Sequence, residues 1–257
     1  VMAHLCLEKT DIFELIEYKD KYSHTVPSIF LPTTHGTASE VTMWGTVWNM
    51  KEEKKYSISH PDLYPTVAIL DGNLTLSLPM DISITTTMDA LSHSFESIWN
   101  KKANDTSTDF AISAICSILK NSSALKERPA DLDIRNNLLR ASSVAGLAFS
   151  NTTTAAAHSM SYPLTIHYGI PHGVASSISL LPLLDINGKS IKKSLDIICK
   201  NNELTYNELK QTIKEIPQGV VPYTLDKWGI NEDQLPKLAE ESFTKGRMDN
   251  NIVDLLT

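Results

Sequence analysis

The chain has 257 residues, 42% apolar and 21% charged, with 23 basic against 30 acidic side chains and a net charge of −7. This is ordinary globular composition on a chain long enough for two domains, and it excludes disordered, collagen-like and coiled-coil proteins. No block of Lys and Arg is present to track a phosphate backbone; Lys54-Lys55 and Lys192-Lys193 are short and flanked by polar or acidic residues, so nucleic acid is not expected as a partner. The longest apolar stretch, residues 177–186, is broken by Pro182 and Asp185. It falls well short of the roughly 20 residues a membrane span needs.

Cys6, Cys116 and Cys199 are odd in number and widely spaced, with no CxxC pair. They signal neither a disulfide framework nor a zinc knuckle, and with no signal-peptide pattern at the start a reducing cytoplasm is the expected compartment. Residues 3–7 read like the middle of a helix and residues 251–257 like the start of another. Further sequence is therefore expected at both ends.

Residues 26–80 are rich in Pro, Thr and β-branched residues. Ser28 to Leu31 and Thr66 to Leu70 are short apolar runs bounded by Pro and by Asp71-Gly72, the pattern of strands ending in turns. Val41 to Asn49 fits either a helix or a strand. From about residue 81 the period becomes helical: Ile84, Met88, Leu91, Phe95 and Ile98 recur at spacings of four and three, one stripe of a helix. Helices are also predicted over 104–125, 131–149, 204–215 and 235–245, with Ile134, Leu138, Leu139 and Ala145 on one face of the second. A small α/β portion thus precedes a larger helical one, with a boundary near Pro79.

Three segments carry residues suited to chemistry. Asp89 and His93 lie four apart, so on a helix their side chains stack and can grip one ion; the alternative is a solvated face with a chance pairing. His158 follows three alanines and His172 sits between Pro171 and Gly173, which suits either a packed core histidine and an ordinary turn, or two ligands. Together, one carboxylate and three imidazoles make a shell for a divalent metal such as Fe(II) or Zn(II). Residues 32–42, Pro-Thr-Thr-His-Gly-Thr-Ala-Ser-Glu-Val-Thr, place hydroxyls and a glycine after an apolar strand. Such a turn can hold phosphate and ribose, or simply cap a helix. Neither GxGxxG nor GxxxxGK[ST] occurs.

In this order, the three segments resemble the iron-containing (group III) alcohol dehydrogenase superfamily. That family carries Pro-Thr-Thr-x-Gly-Thr-x-Ser-Glu-Val-Thr (here 32–42), Asp-Ala-Leu-x-His (here 89–93) and His-x-Met-x-His followed by Ile-Pro-His-Gly (here 158–173). Residues 74–79 and 145–151 match its linking pieces. The resemblance implies a fold of class α/β plus all-α. Residues 1–80 would be the C-terminal part of a Rossmann-like nucleotide-binding domain, and residues 81–257 an all-helical metal-binding catalytic domain. It further implies Asp89, His93, His158 and His172 as metal ligands, and Thr33, Thr34, Thr37 and Lys55 in contact with NADH or NADPH. The reaction implied is hydride transfer to a metal-polarised carbonyl. A homodimer is implied by the same analogy.

Two departures stand out. Tyr162 occupies the position of the second histidine of His-x-Met-x-His, which in the family is thought to relay a proton; His167 is a possible substitute in that role. The Gly-Gly-Gly-Ser phosphate loop of the family is missing and is expected upstream of residue 1, with about 100 further residues of the nucleotide half. Residues 46–49, 98–101 and 157–165 look most like the branch that reduces phosphonoacetaldehyde to 2-hydroxyethylphosphonate. Lys101, Lys102 and Arg140 are candidates for the cationic pocket such a substrate wants. Two other readings remain open: a non-catalytic metal-binding module, and a metallohydrolase with Glu96 as general base.

Overall fold

The computed structural model describes residues 26–49, 52 and 54–255, and the side chains of Trp48, Lys54 and Lys55 lie outside the described set. Strands come first and are few. β1 (Ile29–Phe30) pairs in parallel with β4 (Val67–Ala68) in the register Ile29↔Val67. β2 (Trp44–Asn49) and β3 (Lys54–Ser59) form an antiparallel hairpin running from Trp44↔Ser59 to Asn49↔Lys54. The ambiguous run 41–49 therefore resolves into a short 3-10 turn over 39–41 followed by a strand. Glu40 decides the turn's position: it is buried and accepts a hydrogen bond from Ser143 Oγ on a helix described below. Ile29, Leu31, Val67 and Ile69 around the parallel pair are exposed, unlike the doubly covered strands of a complete parallel sheet.

From Met80 onwards the chain is helical: α1 (Met80–Ile98), α2 (Asp105–Glu127), α3 (Leu132–Thr152), α4 (Ala156–Tyr168), α5 (His172–Ala175), α6 (Leu180–Asn187), α7 (Lys192–Asn202), α8 (Tyr206–Glu215) and α9 (Leu235–Glu241). The starts are written in local chemistry. Asn104 and Ser107 exchange side-chain-to-backbone bonds in a capping box at α2, Asp131 accepts from two amides at α3, and Thr205 with Glu208 repeats the box at α8. The helix predicted over 235–245 is shorter than its period suggests, ending at Glu241. Helix α7 is not among the predicted elements, although Leu195, Ile198 and Cys199 recur in it at helical spacing.

Helix α1 is the axis of the structure. Its stripe of Ile84, Met88, Leu91, Phe95 and Ile98 packs against α2 and α3 with no member more than 4% exposed. The rest of the helix is also covered from Thr87 to Ile98, because α4 and α5 close its other side. Serines make that side compatible with a dry interior. Ser94 and Ser97 bond back to Ala90 and His93 carbonyls, and Ser92 Oγ donates to the Ser176 carbonyl at 2.6 Å. Gly173 lets α5 come this close: a methyl there would overlap the Thr85 carbonyl of α1. A second, smaller core of Leu164, Ile170, Val174, Ile230 and Leu238 joins α4 and α5 to α9. Among the described residues, no helix is long and apolar enough to cross a membrane.

Candidate metal centre

A helix buried on every side must account for its polar side chains, and α1 does so at one place. Asp89 and His93, one turn apart, meet His158 of α4, with one ligand atom from each residue within 4.8 Å of the others. All three are at most 6% exposed. His158 Nε2 lies 3.4 Å and His172 Nε2 lies 3.8 Å from Asp89 Oδ1, so His172 stands at the outer edge of the same cluster, about one third exposed. The rings are ordered by stacking. Trp44 of the β2–β3 hairpin lies on Phe149, Phe149 on His93 at 4.1 Å, and His93 on His158 at 4.3 Å.

Behind the cluster sits a supporting set. Glu96, one turn beyond His93 and fully buried, accepts from His158 Nδ1 at 2.5 Å and from the His158 amide at 3.1 Å. This fixes the ring and turns Nε2 toward Asp89, the usual carboxylate–histidine support of a metal ligand. Ser176 Oγ donates to Asp89 Oδ1 at 2.7 Å. With both its oxygens committed to His158, Glu96 does not serve as the general base of a metallohydrolase.

The charge pattern fits a cation. His93 Nδ1 is buried without a hydrogen-bond partner, and His158 Nε2 faces only Asp89 Oδ1 at 3.4 Å, so each residue offers a ligand atom to a common ion. Burial raises the Asp89 carboxyl, but the imidazoles of His93, His172 and His158 outweigh it and hold the group well below the carboxylate range. Burial pulls His93 down to about 3, an effect its neighbour Asp89 only partly offsets. His158 is the reverse case: burial alone would lower it, yet Glu96 and Asp89 raise it to about 9. Carboxylate, neutral imidazole and one displaceable proton are the donor set of a divalent transition metal.

A consequence is measurable. Binding through His158 Nε2 requires that nitrogen to lose its proton, while Asp89 and His93 already lack theirs at neutral pH. Metal uptake by Asp89, His93 and His158 at pH 7 is expected to release about one proton, and affinity to rise roughly tenfold per pH unit up to about pH 9. Calorimetric titration with Zn(II) in buffers of different ionisation enthalpy reads the proton count directly. A count of zero would mean that metal binding displaces no proton from His158.

A cavity of about 490 Å³ opens over the cluster. Asp89, His93, His158, His172, Tyr162 and Arg247 face it from the helical side, and the hydroxyl residues Thr37, Ser39, Thr42, Thr46 and Ser57 from the strand side. Of the residues assigned to the nicotinamide cofactor, Thr37 reaches this cavity, whereas Thr33 and Thr34 lie outside its walls. The Lys55 backbone pairs with Trp48 in the hairpin, and its side chain is outside the described residues. The turn that carries Thr37 is anchored by His35, buried against Thr86 and Thr87 of α1, with Nδ1 3.1 Å from Thr87 Oγ1.

Tyr162 lies at the cavity wall, and burial raises its phenol above the ordinary value. His167 does not join it. One turn further along α4, it is exposed and its Nε2 lies 3.2 Å from Glu241. The lysines and arginine considered for a cationic pocket are also elsewhere: Lys101 pairs with Asp254 at 2.7 Å, and Lys102 and Arg140 are exposed and away from the cavity walls. The cation at the cavity is Arg247, in the loop after α9. Phe149 and Ser176 were likewise not singled out from the sequence. A lone arginine in a loop, a phenylalanine in an apolar face and one serine among many carry no spacing signal.

The fold and the cluster together define a helical portion with a candidate metal site that opens toward a small α/β portion. Residues 83–255 match the Fe-containing alcohol dehydrogenase family, C-terminal, and residues 1–72 match iron-containing alcohol dehydrogenase. The chain belongs to the iron-containing alcohol dehydrogenase family. It is 31% identical over 212 residues to the NADPH-dependent butanol dehydrogenase of Clostridium saccharobutylicum, covering 79% of this chain and 54% of that one. It is 30% identical over 234 residues to long-chain-alcohol dehydrogenase 1 of Geobacillus thermodenitrificans, covering 87% of this chain and 58% of that one. The chain thus spans somewhat more than half the length of these relatives. Sulfoacetaldehyde reductase from Bifidobacterium kashiwanohense, solved with NAD+, superposes with a TM-score of 0.86 at 29% identity, covering 98% of this chain and 68% of that one.

Proposed function

We propose that the protein is a metal-dependent alcohol dehydrogenase working as an aldehyde reductase. Hydride passes from NADH or NADPH to the carbonyl carbon and a proton to the carbonyl oxygen, giving a primary alcohol and NAD+ or NADP+. The observation that carries this is the convergence of Asp89, His93 and His158, with His172 at the edge, at the floor of a cavity whose opposite wall bears hydroxyls. When bound there, a metal supplies Lewis acidity to the carbonyl oxygen. The protein's own contribution is order. Glu96 fixes the orientation of His158, Phe149 braces the His93 ring, and Ser176 holds Asp89. Tyr162, kept protonated at neutral pH, offers an O–H to a substrate oxygen. The strand-side hydroxyls suit the ribose and phosphates of the cofactor.

Phosphonoacetaldehyde, reduced to 2-hydroxyethylphosphonate, is the substrate we assign. Support comes from the branch resemblance of residues 46–49, 98–101 and 157–165, and from the structural likeness to an enzyme that reduces sulfoacetaldehyde, its sulfonate counterpart. The intact protein, loaded with Fe(II) or Zn(II), is expected to oxidise NADH or NADPH in the presence of phosphonoacetaldehyde and to lose that activity on chelation. Phosphorus NMR identifies the product. No nicotinamide oxidation with phosphonoacetaldehyde, sulfoacetaldehyde or butanal would defeat the assignment of activity.

A further inference from the structure

Among the described residues that wall the cavity, Arg247 is the one permanent cation, and Asp89, committed to the imidazoles, is the one carboxylate. Arg247 shares the cavity wall with Tyr162, whose phenol its positive charge pulls down against the larger effect of burial. Among the described residues it forms no ion pair, although Glu241 and Asp254 elsewhere in the same C-terminal stretch are both paired. A half-buried guanidinium with no carboxylate beside it keeps its N–H donors available to an anion that enters the cavity.

The loop presenting Arg247 is built to hold it still. Thr244 N donates to Ser159 Oγ, and Ser159 Oγ donates to the Ser242 carbonyl at 2.5 Å, tying the loop to the residue after His158. Gly246 takes φ +79°, a left-handed turn that places the next side chain toward the cavity wall. Asn250 Nδ2, nearly buried, donates to Thr153 Oγ1 at 3.0 Å, to the Thr154 carbonyl at 3.0 Å and to the Gly246 carbonyl at 2.7 Å. The arginine is therefore fixed relative to the same helix that carries His158 and Tyr162.

We infer that Arg247 selects the substrate by binding the anionic end of a short aldehyde, whose carbonyl end then faces the Asp89–His93–His158 cluster. The substrate class is a small aldehyde carrying a phosphonate, sulfonate or carboxylate, for which a planar fork of N–H donors is the natural partner. This rests on the reading of the cluster as an aldehyde-reducing site.

The test uses the intact, metal-loaded protein and its Arg247→Gln and Arg247→Lys variants, with phosphonoacetaldehyde, sulfoacetaldehyde and succinic semialdehyde compared against propanal and butanal. Arg247→Gln is expected to lower kcat/KM for the anionic aldehydes about a hundredfold and to change the neutral ones less than about threefold, with Arg247→Lys in between. Equal losses on both sets, a rise confined to the KM for NADH or NADPH, or no loss at all would each overturn the inference. A second readout needs no turnover: calorimetric titration with ethylphosphonate and ethanesulfonate. Saturable binding that Arg247→Gln removes supports the role even if no aldehyde is reduced, in which case only the assigned activity fails. Binding unaffected by Arg247→Gln, or absent from the unaltered protein, overturns it.

Discussion

Replacing His158 with alanine is expected to produce two separable losses. The first is metal: with one of three converging donors gone, affinity falls at least about a hundredfold, and reductase activity falls with it. The second is stability. Glu96 is fully buried, and the variant removes the imidazole at its Oε2 while the residue-158 amide stays on Oε1, so a carboxylate loses its compensating cation in a dry interior, at a cost of up to about 3–5 kcal/mol. Adding Glu96→Gln to His158→Ala removes that charge and should recover much of the stability while leaving the metal unbound. Glu96→Gln alone keeps the ligand and loosens its support, for which a 10- to 100-fold drop in metal affinity is typical. Urea unfolding of the metal-free proteins and metal titration separate the two effects. Full metal occupancy in His158→Ala would remove His158 from the site.

The second large effect is expected from one methyl group. Gly173 lies where α5 touches α1, and the Cβ of Gly173→Ala would collide with the Thr85 carbonyl, a backbone atom that cannot rotate aside. The short helix must therefore withdraw, at a cost of about 1–3 kcal/mol. It takes His172 with it, along with Ser176, the donor that holds Asp89. Metal affinity is expected to fall at least about tenfold, as for other losses of ligand support. Gly219→Ala is the control. Unlike Gly173, Gly219 sits at positive φ with open space around its Cβ position, so the substitution should cost about 1 kcal/mol from the backbone alone and leave metal binding unchanged. Equal metal affinity in Gly173→Ala and the unaltered protein would show that α5 does not help to build the centre.

Much of this was legible in the residues, and the reasons are physical. The stripe from Ile84 to Ile98 has a helix period, and its period alone places Asp89 and His93 at its margin. Their partner His158 lies 65 residues on from His93, a distance no local pattern spans. The family motifs supplied that link. What sequence could not show is depth: α1 is covered all round from Thr87 to Ile98, so a glutamate that reads as a candidate general base becomes a buried support. His167 failed for a similar reason. Proximity along the chain suggested a shared site with His172, but a helix sends a residue five positions from Tyr162 to a different face. Arg247 was invisible because its role comes from a glycine turn and two tethers far apart in sequence.

Asn250 has a further consequence for how such a protein can change. One amide grips the joint leading into the His158 helix and the carbonyl just before Arg247, so the cluster side and the arginine side of the cavity share this fastener in addition to the Ser159 tether. Loop rearrangements that would admit bulkier substrates must first undo this fastener, and so disturb the catalytic floor. A new side chain at position 247 meets no such penalty. The charge at the cavity wall can therefore be changed by a point replacement while the loop backbone stays where these bonds hold it.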